Sequence, residues 1–158
     1  MAAALKEWAV TIEALAQGLQ TVLLRKGGIS ESSRGFELEH RSFLFFPTWE
    51  HQQREWVRPE FHSLFDGLEP GNADEVTIRF RGEVAHIEQA PADPEAFDSA
   101  TGPHIWTDEF IKMRYGYRLD LPLYLVKVRI EPLERPLITP YTAEYRGCRS
   151  WVELAGSL

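Results

Sequence analysis

The most polar cluster in the chain follows a short apolar run at residues 43–46. Behind Pro47 come Thr48, Trp49, Glu50, His51 and Gln52 without interruption. Amide and carboxylate groups can hydrogen-bond the edge of a nucleic-acid base, and an indole ring can stack on its face. These residues therefore predict a base-facing cluster. The alternative is a capped helix, with Thr48 as N-cap, Glu50 in the first turn and Trp56 in the core.

A second candidate site follows a predicted strand that ends in Arg25, Lys26, Gly27 and Gly28. Two cations and the close backbone approach that glycine permits would suit a phosphate or a carboxylate. The glycine spacing of a P-loop is missing. The sequence predicts an anion contact here, and an ordinary hairpin turn with solvated charges is the alternative.

Two long alternating segments place cations on their polar sides. These cations are Arg79 and Arg81 in one segment and Lys127 and Arg129 in the other. If the two strands are neighbours, the four cations gather on one sheet face and offer a surface to a phosphate backbone, which Arg114 would extend. The alternative is a solvated outer face.

The remaining reactive side chains favour neither a metal nor a covalent mechanism. Four histidines, at 40, 51, 62 and 86, have no metal-binding spacing, so we predict no metal and no cofactor. His86 shares parity with Phe80 and Val84 and is expected to point inward, unless Gly82 carries a bulge. Cys148 lies between two arginines but has no recognisable base.

Composition places the chain among globular proteins, with 158 residues, 44% hydrophobic content and a net charge of −7. We expect a single domain spanning 1–158. A single cysteine, with no apolar run of signal-peptide or membrane-spanning length, predicts a cytoplasmic protein.

The negative charge is concentrated in one segment, because residues 82–111 hold seven acids and no Lys or Arg. A basic face elsewhere stays open, and this acidic segment is a candidate docking surface for a protein partner.

Hydrophobic spacing predicts the order of elements. Residues 4–19 have the apolar period of a helix ending near Gly18, residues 49–66 are helical with a division at Pro59, and a helix begins after Thr107. Alternation predicts the two long strands. The fold class is therefore α+β, a mostly antiparallel or mixed sheet with about three helices. A small β-barrel with helical insertions is the alternative.

Four segments, "ALKEWAV", "LLRKGGI", "FLFFPTWEHQ" and "GCRSWVEL", together resemble the bacterial family called domain of unknown function 1802. The similarity covers essentially the whole chain in matching order. That family has no established activity, so the resemblance implies no catalytic residue. Some members are similar to segments found beside a restriction-endonuclease-like domain, which implies a link to DNA restriction or modification.

The leading functional hypothesis is a non-enzymatic module that binds nucleic acid or a nucleotide-like ligand. The anion site and the base-facing cluster would contact the ligand, and Arg79, Arg81 and Arg114 would support its phosphates. Two other hypotheses stay open. One is a small hydrolytic or nucleolytic enzyme that uses His51 and Glu50 as acid and base. The other is a protein-interaction subunit. The sequence does not predict an oligomeric state.

Overall fold

A computed structural model describes residues 2–26, 38–147 and 149–154. They form a six-stranded mixed sheet with the order β2-β5-β4-β3-β1-β6. The strands are β1 (Ala2–Trp8), β2 (Val22–Lys26), β3 (Ser42–Thr48), β4 (Glu75–Gln89), β5 (Leu123–Pro140) and β6 (Trp151–Leu154). β1 and β3 are parallel, and the other neighbours are antiparallel. The α+β class is confirmed. The barrel alternative is wrong, because no described backbone pairing joins the edge strands β2 and β6.

Within the described residues, four α-helices and several 3-10 turns accompany this sheet. The α-helices are α1 (Ala9–Ala16), α2 (His62–Asp66), α3 (Phe97–Thr101) and α4 (Asp108–Gly116). The start of α4 is as predicted, since the Thr107 hydroxyl accepts a hydrogen bond from the Phe110 N–H at 3.1 Å. In the described part of the chain, no helix has the length and apolar character needed to span a bilayer.

The predicted helix over residues 4–19 is wrong in its first half, which is strand β1. Ala4, Leu5 and Lys6 are all buried, because both faces of β1 are covered: Ala4 packs in one hydrophobic cluster and Leu5 in another. A strand covered in this way loses the polar-apolar alternation that would identify it. Its apolar residues then run directly into α1 and extend a helical spacing across both elements.

The predicted helix over residues 49–66 is also wrong at its start. Residues 49–53 form a turn and an extended stretch, and 3-10 turns at Arg54–Trp56 and Pro59–Phe61 precede α2. His51 has φ +62°, in the left-handed region. The Gln52 side chain accepts a hydrogen bond from the Val10 N–H at 2.9 Å, at the start of α1. This tertiary hydrogen bond fixes the turn at residues 49–53, where the sequence had suggested the cap of a helix.

The long pair β4–β5 contains two irregularities, and neither is at Gly82. Gly82 is paired with Phe43 on one side and Ile130 on the other, while the register shifts lie between Ile78 and Phe80 and between Val84 and His86. The second shift reverses the facing of His86, whose side chain is 63% exposed. The inward orientation predicted for His86 is therefore wrong.

Candidate functional site

Arg25, near the end of β2, reaches across to β1. Its Nη2 lies 2.5 Å from Glu7 Oε2 and donates to the Lys6 carbonyl oxygen at 2.7 Å. Its Nη1 donates to Ser150 Oγ at 3.3 Å, just before β6. The Arg25 and Glu7 side chains are 12% and 13% exposed. One guanidinium group therefore links the edge strand β2 to β1 and to the residue that precedes the other edge strand, β6.

Lys26, the last residue of β2, points at the C-terminal end of α4. Its ammonium group donates to the carbonyl oxygens of Arg114 at 3.3 Å and Tyr115 at 3.1 Å. The negative end of a helix dipole stabilises a cation in this position. Burial lowers the pKa of Lys26 and the charge of Arg114 lowers it further, while Asp120 acts in the opposite direction.

Arg114 is the least compensated cation of this region. Its guanidinium is half-buried and lies over the Tyr117 ring at 5.4 Å, and no carboxylate in the described residues lies within ion-pair distance. Burial lowers the pKa of Arg114, Arg25 lowers it further, and Glu7 and Tyr117 oppose the shift. The group still carries its charge at neutral pH. We call Arg25, Lys26 and Arg114, together with Glu7, the cation cluster.

The cation cluster contains part of the predicted anion site in a different form. The sequence predicted Arg25 and Lys26 as anion contacts at the end of a strand, with a solvated hairpin turn as the alternative. Both side chains are bonded inside the protein, and Arg114 is the member with spare charge. Gly27 and Gly28 lie outside the described residues, as does Cys148. Sequence reasoning missed Glu7 and Ser150. Both residues lie within segments that carry the family resemblance, "ALKEWAV" and "GCRSWVEL". That position could have indicated them, since these segments contact "LLRKGGI" here.

The residues of the predicted base-facing cluster serve different purposes. Gln52 caps α1, and the Trp8 indole N–H donates to the Glu50 carbonyl oxygen at 3.1 Å. Thr48 Oγ1 accepts from the Glu50 N–H at 3.4 Å, which makes it part of a local turn. His51 is exposed, and Trp49 is partly buried. Among the described residues, no group of three or more His, Cys, Asp or Glu is arranged to hold a metal ion.

Thr48, Trp49 and Glu50 line a groove of about 1050 Å³ between α1, α2, β3 and β4. Aromatic and aliphatic side chains, among them Phe61 and Tyr141, form much of its wall. The charged residues of its lining are Glu13, Glu50, Glu60, Glu69, Glu75 and Arg79. With five acids against one cation, this groove repels a phosphate and favours a neutral or cationic group.

The two basic strands are neighbours, as the four-cation hypothesis required. Cross-strand partners lie on the same sheet face. Arg81 is opposite Glu131, and Arg129 is opposite Glu83, with which it forms an ion pair at 3.2 Å. Acids therefore alternate with the cations on this face. The cations predicted for this face are therefore interleaved with carboxylates, because parity within each strand does not show which charges face each other.

Arg58, which lies outside the acidic segment 82–111, neutralises part of the segment's negative charge. Arg58 lies 3.3 Å from Asp98 and 4.0 Å from Asp108. Asp98 Oδ1 also lies 2.6 Å from Nε2 of the buried His104, whose Nδ1 accepts from the Trp106 N–H at 3.2 Å. Burial lowers the pKa of His104 more strongly than Asp98 raises it. The His104–Asp98 pair is a structural contact that secures the segment before α4.

Solved structures with a similar fold come from Zymomonas mobilis. They are crystal structures of two point mutants of the protein ZmASCH, with TM-scores of 0.55 and 0.51. Sequence identity is 12% and 13%, and the matches cover 97% of this chain and 87% and 89% of those chains. This likeness concerns the fold. No curated protein matches the chain significantly.

The four segments that resemble a known family lie close together in the structure. The first and second meet through Arg25 and Glu7, the third contacts the first through Trp8 and Glu50, and the fourth contributes Ser150. The family model described as "Domain of unknown function (DUF1802)" matches residues 4–157. The chain therefore belongs to the DUF1802 family.

Proposed function

We propose that this protein binds nucleic acid or a nucleotide-like ligand, and that the cation cluster contacts a phosphate group of that ligand. The observation that carries the proposal is the Arg114 guanidinium, half-buried over the Tyr117 ring without a carboxylate partner in the described residues. Folding tends to leave such a charge in water or to pair it. Arg114 is neither fully solvated nor paired, and a ligand that supplies an anion would explain this.

Charge and geometry favour a phosphate as that anion. Arginine presents planar N–H donors that match phosphate oxygens, and charge-assisted bonds of this kind are stronger than neutral ones. Within the cluster, Glu7 already occupies one side of the Arg25 guanidinium, and Arg25 Nε is buried without an acceptor in the described part of the chain. The donors of Arg114 are the ones that remain for an incoming group.

The groove beside Trp49 supplies a second contact in this proposal. Its acids disfavour a phosphate but can accept hydrogen bonds from the amino groups of a base, while Trp49 offers a ring for stacking. The base contacts proposed here are therefore Thr48, Trp49 and Glu50. Gln52 already bonds the backbone of α1.

An ASCH-like fold is compatible with a nucleic-acid ligand. The proposal includes a cytoplasmic location and an accessory role in DNA restriction or modification.

The test is fluorescence anisotropy with internally labelled, 5′-phosphorylated DNA and RNA, single- and double-stranded, at low and physiological salt. Binding should weaken as salt rises, because phosphate contacts release counterions. Arg114→Gln should weaken binding by about tenfold or more, equivalent to about 1.4 kcal/mol. Lys112→Gln is the matched control, since Lys112 is an exposed cation on the same helix. No binding at low salt, or equal losses in both variants, would contradict the proposal.

A further inference from the structure

Tyr117, the first residue after α4, is the one aromatic side chain that is exposed in the described part of the chain, at 53%. The other described Phe, Trp and Tyr side chains are buried or half-buried. Aromatic rings contribute most to folding when they are buried. The exposed Tyr117 ring is instead open to contact by a ligand.

Two further apolar side chains are exposed close to Tyr117 in the chain, Met113 at 39% and Leu119 at 83%. The Tyr117 N–H donates to the Met113 carbonyl oxygen at 3.0 Å, so these two residues lie one helical turn apart. Leu119 lies in a turn that the Leu121 N–H and the Arg118 carbonyl oxygen close at 2.9 Å. Three of the four large hydrophobic side chains exposed in the described residues therefore lie within seven positions. Apolar side chains that are exposed together mark an interaction surface more often than scattered ones do.

Arg114 supplies the charge that indicates what this surface binds. Its guanidinium lies over the Tyr117 ring at 5.4 Å, and no carboxylate in the described residues lies within ion-pair distance of it. A ring offers no lone-pair acceptor, so the N–H donors of Arg114 remain for an anion. Residues 112–119 hold three cations and no acid, which disfavours a cationic partner. The surface therefore offers an aromatic ring and a guanidinium side by side.

Single-stranded nucleic acid presents the two groups that match this pair. Its bases expose flat faces that stack on aromatic side chains, and its phosphates accept charge-assisted hydrogen bonds from arginine. In a duplex the base faces are covered by neighbouring base pairs, so a side chain reaches only the phosphates and the base edges. A lipid surface matches less well. A membrane-binding helix lays a continuous apolar face into the lipid, whereas the apolar residues Phe110 and Ile111 of α4 are buried in the protein.

We infer that Tyr117 stacks on an unpaired base while Arg114 contacts a neighbouring phosphate, so that the protein prefers single-stranded to double-stranded nucleic acid. This inference rests on the proposed function and specifies the form of its ligand. Electrostatic attraction alone predicts the opposite preference, because a duplex carries more phosphate charge per unit length. A higher affinity for the single strand is therefore a signature of stacking.

The test uses fluorescence anisotropy with one internally labelled DNA in three forms: the single strand, its duplex, and the same strand with abasic sites in place of its bases. Wild type should bind the single strand at least about tenfold more tightly than the abasic strand, and more tightly than the duplex. Tyr117→Leu should lower the ratio of affinities for the single strand and the abasic strand by about tenfold, and should leave binding of the abasic strand unchanged. Tyr117→Phe is the matched control, since it keeps the ring and should retain the ratio.

The outcomes separate this inference from the proposed function. Equal affinities for the single strand and the abasic strand, both weakened by Arg114→Gln, would overturn the stacking inference and leave phosphate binding in place. A ratio that survives Tyr117→Leu would overturn the assignment to Tyr117 and leave Trp49 in the groove as the stacking residue. No binding of any form at low salt would overturn the proposed function, and Tyr117-dependent binding to phosphatidylserine vesicles would then assign the surface to a lipid partner.

Discussion

Arg25 on β2 and Glu7 on β1 form an ion pair at 2.5 Å, although three strands separate β2 from β1 in the order of the sheet. The same guanidinium bonds the Lys6 carbonyl oxygen and Ser150. One side chain thus holds together parts of the sheet that no described backbone pairing connects. The candidate phosphate site is built beside this contact, so the residue that links these strands also contributes charge to the site.

We predict that Arg25→Ala lowers the free energy of unfolding by about 2–4 kcal/mol, because it breaks a largely buried pair and leaves Glu7 without its cation. Urea denaturation measures the change. Arg129→Ala provides the comparison, since it removes an exposed pair with Glu83 and should change stability by less than about 1 kcal/mol. Equal losses in the two variants would show that Arg25 does not hold the sheet edges together. A double-mutant cycle with Glu7→Ala should give a coupling of about 1–3 kcal/mol.

Arg114→Gln should leave the stability of the free protein unchanged or raise it by up to about 1 kcal/mol, because it removes an unpaired, partly desolvated charge. Thermal unfolding with and without a phosphorylated strand measures both states. The ligand should raise the melting temperature of wild type and of Lys112→Gln much more than that of Arg114→Gln. A loss of more than about 1 kcal/mol in the free variant would instead identify Arg114 as a structural residue.

Gly82→Ala should destabilise the protein by about 1–3 kcal/mol through overpacking. A Cβ at Gly82 would lie 2.6 Å from one ring carbon of Phe45 and 2.8 Å from one of Phe43. Gly116→Ala is the matched control, because no atom lies within 4 Å of its added Cβ. That change is expected to be neutral or stabilising by up to about 1 kcal/mol, since alanine favours helix. If the two variants unfold at the same denaturant midpoint, overpacking at Gly82 is contradicted.

Stability should fall as the pH drops below about 6.5, partly because of His104. The folded-state pKa of His104 is depressed by burial below its ordinary value of 6.5, so the unfolded chain takes up the proton first. The pKa of Asp98 is lowered chiefly by the hydrogen bond from His104, so its contribution is lost at still lower pH, below about 4.

Urea denaturation at a series of pH values, with His104→Gln as the comparison, tests this prediction. The variant keeps a donor toward Asp98 but cannot titrate, so its stability should depend less on pH just below about 6.5, by up to about 1.4 kcal/mol per pH unit. Identical pH profiles for the two proteins would exclude His104 as the titrating group.

The elements that could be predicted are those whose signals are local. Thr107 followed by two acids marks the start of α4, and clean alternation marks β4 and β5. The failures have nonlocal causes. The cap of α1 is Gln52, which lies 42 positions after Val10, and β1 is hidden because its two faces pack in different hydrophobic clusters. A single register shift was enough to reverse His86.

The candidate site stays a prediction, and the sequence suggested its residue types without its geometry. Arg25, Lys26 and Arg114 were chosen because arginine and lysine suit phosphate, but a sequence does not show which cation already has a partner. Glu7 was passed over although it pairs with Arg25. Whether a cation has a partner depends on strands that are distant in the chain.

The position of β1 between β3 and β6 has a consequence for synthesis. β1 is made first among the strands and β6 last, and the Arg25–Ser150 contact spans 125 positions of the chain. While a ribosome is still extending the chain, one edge of β1 keeps its backbone N–H and carbonyl groups unpaired. An open strand edge is a template for pairing with another chain. Copies of the chain that grow on the same messenger RNA are therefore most exposed to pairing with one another through β1 until β6 has emerged.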